Sequence, residues 1–163
     1  PHKNLEALVD VFRNIDTKLI LVGTPDYFYE KLRDGVKKLN LENKIIFYGK
    51  AKDSDLSYLY KNAQGLIAPS LMEGFGLPVL EAMSNKCLVI CSDIKAFREV
   101  AKENAIYFNP KNKTEIREAL QKVISQKFDK TILEKAYELS KEFSWEKTAK
   151  ETLKIYESSI SLR

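Results

Sequence analysis

Two glutamates enclose a glycine-rich segment near the middle of the chain. Glu73 and Glu81 stand on either side of seven residues, GFGLPVL, directly after an apolar run. Pro78 suits the first turn of a helix, where the backbone amides carry the positive end of the helix dipole and attract anions. The predicted donors to such an anion are the amides of Gly76, Leu77, Val79 and Leu80. Because Gly74 and Gly76 also let a ligand approach the backbone closely, the segment predicts a phosphate-type anion site.

The two glutamates differ in how readily they are explained. Glu81 falls in the first turn of the predicted helix, where the dipole favours an acid in any case. A carboxylate can also accept two hydrogen bonds from adjacent ribose hydroxyls, so both explanations of Glu81 stay open. Glu73 precedes the helix, beside a site that attracts anions. Its charge is costly there unless it contacts a neutral polar group, such as the hydroxyls of a sugar.

Short apolar runs alternate with amphipathic stretches over the first two thirds of the chain. The predicted strands are residues 19–23, 44–49, 65–70, 88–92 and 105–108. The predicted helices that alternate with them are residues 4–14, 27–39, 54–62, 78–83 and 94–102. The strands are nearly continuous in apolar residues, which is typical of parallel strands buried on both faces. The alternation predicts right-handed βαβ crossovers and therefore an α/β fold, a Rossmann-like three-layer domain with a parallel sheet.

The last third of the chain carries few strand signals. Residues 114–126, 130–142 and 145–159 each predict a helix, and together they form a helical C-terminal tail. Ser144 is a suitable cap for the last of these helices. Since 163 residues suit one domain and no linker or repeat divides them, we predict a single domain over residues 1–163. Ligands bind beyond the carboxyl ends of the strands in such a sheet, and the glutamate segment follows one of those ends.

Composition limits the kinds of partner. The formal net charge of +4 is too mild to predict nucleic-acid binding, and no apolar run is long enough to span a bilayer. The glutamate segment has neither a Walker lysine nor a dinucleotide G-x-G-x-x-G fingerprint. Cys87 and Cys91 would lie about 13 Å apart along an extended strand, too far for a disulfide with each other. We therefore predict two reduced, buried thiols, and we find no His or Cys cluster with metal-ligand spacing.

Several stretches follow one another in a specific order. They are PHKNLEALVDVF (1–12), KIIFYGKAKDSDLSYLYKNAQGLIAPS (44–70), EGFGLPVLEAM (73–83), LVICSD (88–93), REVAKENAIYFNP (98–110) and FSWEKTAKETLKIY (143–156). In type and order they resemble retaining glycosyltransferases of family 4, which have the GT-B fold. The glutamate segment is similar to the E-x7-E motif of that family, and the first stretch to its segment with a phosphate-binding lysine. The resemblance covers nearly the whole chain.

The resemblance implies a role for each part of the site. It assigns Glu73 to the transferred sugar as the catalytic residue, Glu81 to the ribose hydroxyls, and Lys3 to the diphosphate. It assigns the remaining contacts with sugar and diphosphate to the backbone around Gly74, Phe75, Gly76 and Leu77. It assigns the contacts with the base to the turn at Tyr48, Gly49 and Lys50. A helix start together with Lys3 can neutralise a departing diphosphate without a metal ion, and no cofactor is expected besides the nucleotide-sugar substrate.

The resemblance also implies what the intact protein does. The chain is expected to be the carboxyl-terminal, donor-binding half of a GT-B hexosyltransferase, with the acceptor domain and the first strand of this domain upstream of Pro1. The expected donor is a UDP- or GDP-sugar and the expected acceptor a glycan or a lipid-linked glycan in polysaccharide biosynthesis. The expected location is the cytoplasm, with peripheral contact to the cytoplasmic membrane as an option. The isolated half is not expected to catalyse transfer.

Two other kinds of protein stay as alternatives at this point. One is a stand-alone module that binds a nucleotide sugar without catalysis. The other is a doubly wound, receiver-like regulator, which needs an acidic cluster at the strand ends. The candidate acids for that cluster, Asp26, Asp53 and Asp93, all precede predicted helices and are explained as helix caps. The D-x-D spacing of Asp53 and Asp55 is explained in the same way and predicts no metal site.

Overall fold

The computed structural model describes residues 2–160 of the chain, with the side chains of residues 2–159. Its strands are β1 (Leu19–Val22), β2 (Ile45–Gly49), β3 (Leu66–Ala68), β4 (Val89–Ser92) and β5 (Ile106–Phe108). Its helices are α1 (Leu5–Phe12), α2 (Tyr27–Lys38), α3 (Asp53–Asn62), α4 (Leu77–Ser84), α5 (Lys95–Ala101), α6 (Lys113–Ile124), α7 (Thr131–Ser140) and α8 (Trp145–Ile160). Every one of these elements is predicted by the sequence, with each end within two residues of its observed position.

The strand pairs are parallel throughout the described part of the chain. β1 pairs with β2, and β4 lies between β3 and β5, so that the hydrogen bonds form one sheet of two strands and one of three. Both sheets contribute to one hydrophobic core, in which Leu19 and Ile45 are buried together with Ile90 and Phe108. The predicted α/β architecture with parallel strands is confirmed, with two hydrogen-bonded sheets where we expected one.

The strand β4 separates two layers of helices. All four of its residues are buried, and successive side chains of a strand point to opposite faces. Ile90 packs in the core cluster formed with α1, α2 and α6. Val89 and Cys91 pack in a second cluster, formed with α4, α5 and α7. The predicted three-layer arrangement, with a sheet between two sets of helices, is therefore confirmed.

Burial on both faces does not extend to β1 and β2. Burial alternates along both strands, and Ile20 and Tyr48 are 43% and 45% exposed. The helix that follows β2, α3, contains no buried residue that could cover this face. The prediction of burial on both faces is thus wrong for these two strands. An apolar run shows that a face lacks charge, but it does not show that another element covers that face.

The last helix, α8, carries apolar side chains at the surface of the described chain. Trp145 is 78% exposed, Leu153 56% and Tyr156 64%. The helix begins where predicted, because the Lys147 backbone N–H donates to the Ser144 hydroxyl oxygen at 3.1 Å and so caps its first turn. Among residues 2–160, no helix combines the length and the apolar content that crossing a membrane requires.

Both cysteines are expected to resist alkylation in the folded protein. They are free and buried, which confirms the prediction of two reduced core thiols. Burial raises the pKa of Cys87 to about 11 and that of Cys91 to about 12. At pH 8 about a thousandth of the Cys87 thiol and about a ten-thousandth of the Cys91 thiol are then ionised, so we expect iodoacetamide to leave both unmodified. Mass spectrometry should find both labelled after denaturation in guanidinium chloride. Labelling of the folded protein at the denatured rate would contradict this expectation.

Candidate functional site

The segment between β3 and α4, residues 69–76, is called the elbow below. α4 begins at Leu77, and its N-cap Gly76 has a left-handed backbone with φ 113° and ψ 46°. The amides of Val79 and Leu80 donate to the Gly76 carbonyl at 2.9 and 3.2 Å, so the prediction that they are free donors is wrong. The amides of Gly76 and Leu77 have no hydrogen-bond partner within residues 2–160. These two amides are the donors that the helix start offers to an anion.

Glu81 lies deeper in α4 than predicted. The helix starts at Leu77, one residue earlier than expected, and its first turn contains no acidic residue. Because the helix dipole acts mainly on charges in the first turn, it does not account for a glutamate at this position. The helix-dipole explanation for Glu81 is therefore wrong, and its assignment to the ribose stays a prediction.

Glu73 and Lys3 are brought together although 70 positions separate them in the sequence. The Lys3 ammonium lies 2.6 Å from Glu73 Oε1, and the Ser70 hydroxyl donates to the same oxygen at 2.7 Å. Ser70 is 3% exposed and lies two residues after the end of β3. Sequence reasoning missed this serine, although the S-x-x-E spacing of Ser70 and Glu73 is a signal of local hydrogen bonding.

The surroundings of Glu73 favour its charged form. Burial raises the pKa of this carboxyl, but the hydrogen bonds from Lys3 and Ser70 and the charges of Lys3 and His2 outweigh it, so the pKa lies below its ordinary value. The backbone also fixes the contact, because the Leu71 N–H donates to the His2 carbonyl at 2.8 Å. The elbow therefore presents a carboxylate and a cation as one paired unit.

Glu81 has a partner on a different helix. The hydroxyl of Tyr60, on α3, donates to Glu81 Oε2 at 3.0 Å. Tyr60 is partly buried against the cluster formed with α4, α5 and α7. Burial and the neighbouring Glu81 charge raise its pKa, so the phenol stays protonated and remains a donor. No sequence signal linked Tyr60 with Glu81, because a tyrosine within an amphipathic helix is most simply explained as packing.

The predicted base-binding turn lies at the carboxyl end of β2. Gly49 has φ 81°, a left-handed conformation that favours glycine, and its carbonyl accepts from the Gly23 N–H at 3.0 Å. Tyr48 is 45% exposed beside it, and Lys50 follows the end of the strand. Within residues 2–160, no hydrogen bond or ion pair joins this turn to Glu73 or to the elbow.

The remaining predicted contact residues line the elbow. Phe75 and Leu77 are 43% and 48% exposed, and the ring of Phe75 meets that of Phe143 edge-on, with centroids 5.9 Å apart. A side chain at Gly74 would meet no atom within 4 Å. Gly74, Phe75 and Leu77 are thus exposed in the elbow or at its end, whereas the predicted contact residue Gly76 is buried.

The acids that could suggest another function lie at helix starts or in an ion pair. Asp26 accepts from the Tyr29 N–H at 2.8 Å and caps α2, as predicted. Asp53 does not cap α3 as expected, because the N-cap is Lys52 and Asp53 is the first residue of the helix; Asp55 accepts from the Lys52 N–H at 3.3 Å. Asp93 does not cap α5 as expected; it pairs instead with the Arg98 guanidinium at 2.7 Å. Within the described ranges, no group of three or more His, Cys, Asp or Glu residues could hold a metal ion.

Comparison with known sequences gives a consistent result. The model of a family described as glycosyl transferases group 1 matches residues 1–143. The chain is 34% identical over 126 residues to the O-antigen chain mannosyltransferase RfbU of Salmonella typhimurium, covering 76% of this chain and 35% of that protein. It is 30% identical over 163 residues to the O-antigen chain mannosyltransferase B of Escherichia coli, covering 96% and 43%. The chain therefore spans less than half the length of these relatives.

Comparison with solved structures supports the fold. The sucrose-phosphate synthase of Thermosynechococcus elongatus superposes with a TM-score of 0.88 at 24% identity, covering 99% of this chain and 43% of that one. The Anabaena protein Alr3699/HepE, solved in complex with UDP and glucose, superposes with a TM-score of 0.81 at 21% identity, covering 98% and 46%. The described chain thus has the α/β fold of one half of a GT-B glycosyltransferase.

Proposed function

We propose, from the premise that this chain belongs to the family of glycosyl transferases group 1, that its elbow binds a nucleoside-diphosphate sugar as the donor for sugar transfer. The observation that carries the proposal is the convergence of Lys3 and Glu73, 2.6 Å apart, at the start of α4. The proposed site combines this cation and carboxylate with the two helix-start amides that follow Glu73 in the chain, and groups of these kinds match a diphosphate joined to a sugar. The solved complex of Alr3699/HepE with UDP and glucose supports the same ligand class.

Each residue has a proposed contact with the donor. Lys3 and the amides of Gly76 and Leu77 bind the diphosphate, with backbone contributions from Gly74 and Phe75. Glu73 accepts hydrogen bonds from the transferred sugar. Glu81 binds the ribose hydroxyls, and the backbone of Tyr48, Gly49 and Lys50 contacts the base. The donor would accordingly extend from the elbow towards the end of β2.

The proposed chemistry follows from the charges. A departing nucleoside diphosphate gains negative charge, and a fixed cation together with a helix start stabilises that charge without a metal ion or a cofactor. Glu73 stabilises the positive charge that develops on the sugar ring, in a front-face reaction that retains the anomeric configuration. Glu81 is proposed to bind the ribose and not the transferred sugar, so Glu73 is not placed in a glycosidase-type pair of carboxyl groups.

The intact protein is proposed to be a hexosyltransferase in polysaccharide assembly. Two relatives are O-antigen chain mannosyltransferases, which makes mannose the first sugar to test. In this proposal the described domain holds the UDP- or GDP-sugar, and a second domain supplies the glycan or lipid-linked acceptor. The chain alone then binds the donor but does not complete transfer, because half of the cleft belongs to the other domain.

Titration calorimetry of the chain with UDP-glucose and GDP-mannose tests the donor site. We expect at least one to bind, and Glu81→Ala to weaken it about tenfold or more, because a charged acceptor for the ribose hydroxyls is lost. Glu118→Ala, which removes an exposed glutamate on α6, is the matched control and should leave the affinity unchanged. If neither donor binds at millimolar concentration, or if both variants bind like the wild type, the donor-site proposal is wrong.

A further inference from the structure

We propose that Tyr60 is a positioning residue that holds Glu81 in place for the ribose, and so contributes to the selection of ribonucleotides. This inference rests on the proposed function, since it concerns the same donor site. It starts from the 3.0 Å hydrogen bond between the Tyr60 hydroxyl and Glu81 Oε2, which joins α3 to α4. Neither residue is near the other in sequence, so the contact depends on the packing of the two helices.

Glu81 needs such a partner because its side chain is exposed. An exposed glutamate samples several rotamers, and fixing it at the moment of binding costs conformational entropy. Tyr60 has few rotatable bonds, and its ring packs against the cluster that includes Val79, Ala82 and Met83. Its hydroxyl is therefore a fixed donor. One carboxylate oxygen accepts from Tyr60, and Oε1 together with the remaining lone pairs is left for two ribose hydroxyls.

A second contact fixes α3 against α4. The Ser57 hydroxyl donates to Asn85 Oδ1 at 2.8 Å, and Asn85 Nδ2 donates to the backbone carbonyl of Glu81 at 2.9 Å. Ser57 and Tyr60 are three positions apart on α3, so they lie on the same side of that helix. Both thus hold the segment around Glu81, one through its carboxylate and one through the end of α4.

Removing the Tyr60 hydroxyl should change the selectivity for ribose over deoxyribose more than the overall affinity for nucleotides. A carboxylate held in one orientation can meet the 2′- and 3′-hydroxyls together, whereas a mobile one meets them less often. The contribution of the 2′-hydroxyl should therefore depend on the Tyr60 hydroxyl. Binding of the diphosphate at the elbow should not depend on it, because no hydrogen bond in the described part of the chain joins Tyr60 to Lys3 or to the helix-start amides.

The test compares Tyr60→Phe with the wild type, using UDP and GDP and their 2′-deoxy forms as probes in calorimetric titrations. Phenylalanine keeps the ring in the cluster and removes only the hydroxyl. We expect the wild-type chain to prefer the ribonucleotide at least tenfold, and Tyr60→Phe to reduce that preference about three- to tenfold while its affinity for the deoxy form changes less than about twofold. Tyr58→Phe, on the same helix but 68% exposed, should keep the wild-type preference.

The outcomes separate this inference from the proposed function. If the wild type prefers the ribonucleotide and Tyr60→Phe does so to the same degree, the positioning role is wrong and the donor site stands. If Tyr60→Phe weakens both forms equally, the hydroxyl has a general structural role and the inference is again wrong. A wild type that binds without any preference also overturns it. A wild type that binds neither nucleotide at millimolar concentration overturns the proposed function and this inference together.

Discussion

Replacing Gly76 by alanine is expected to lower the free energy of unfolding by about 2–5 kcal/mol. Two effects add at this position. Gly76 has φ 113°, a conformation that an L-residue adopts only with strain. A Cβ there would also lie 2.9 and 3.0 Å from Cδ1 and Cε1 of Phe97. Since Phe97 is 2% exposed and packed in the cluster with α4 and α5, its ring has little room to yield.

The neighbouring glycine provides a matched control. Gly74 lies two residues away in the same elbow, but a Cβ there would meet no atom within 4 Å, and its φ is outside the positive range that strains a side chain. Gly74→Ala should therefore change the stability by less than about 0.5 kcal/mol. Urea unfolding of both variants, followed by far-ultraviolet circular dichroism, measures the difference. Equal stabilities would show that the elbow can relax around an added methyl group.

The comparison shows which part of a glycine's role a sequence can reveal. The pattern around Glu73 and Glu81 treats Gly74 and Gly76 alike, as glycines that let a ligand approach the backbone. It does not identify Phe97 as the neighbour of Gly76, because Phe97 lies on another helix, 21 positions later in the sequence. A side chain is excluded at Gly76 because α5 packs against the start of α4 there. Gly74 belongs to the same motif, but no residue packs against it in this way.

The elements themselves were predictable because their signals are local. The apolar run of β4 and the cap at Ser144 depend on residues next to one another in sequence, and both are observed. The exposed face of β1 and β2 was not predictable, since coverage of a strand depends on distant helices. The start of α4 differs by one residue, and that small shift removes Glu81 from the first turn and Leu80 from the free donors.

The site was predictable as a set of residues but not as a set of contacts. The resemblance assigned Lys3 and Glu73 to different parts of the donor, and it gave no reason to expect an ion pair between them. The structure pairs them directly, with Ser70 as a third member. Tyr60 was missed for the same reason, because its partner lies on another helix. Contacts over long sequence separations are set by tertiary packing, which no single stretch encodes.

Replacing the two members of the ion pair, Lys3 and Glu73, should change the affinity for a nucleoside diphosphate in opposite directions. Lys3→Met keeps most of the aliphatic stem and removes the cation, so we expect the affinity for UDP or GDP to fall about 10- to 100-fold. Lys61→Met, which replaces an exposed lysine on α3, is the control for the loss of one positive charge.

Glu73→Gln should instead strengthen binding of the diphosphate about two- to tenfold, because the phosphates no longer compete with a carboxylate for Lys3. Weaker binding by Glu73→Gln would contradict competition for Lys3.

The same pair predicts a dependence of stability on pH. The pKa of Glu73 is lower in the folded protein than its ordinary value, so the folded state binds its proton less readily than the unfolded chain does. The resulting stabilisation is complete above the ordinary glutamate range and is lost as the pH falls through the lowered folded-state pKa. The Glu73→Gln variant has no titrating carboxyl at this position, so it has no such contribution to lose. Urea unfolding from neutral to acidic pH should therefore show a steeper loss of stability for the wild type than for the variant, and parallel curves would show that the pair contributes nothing.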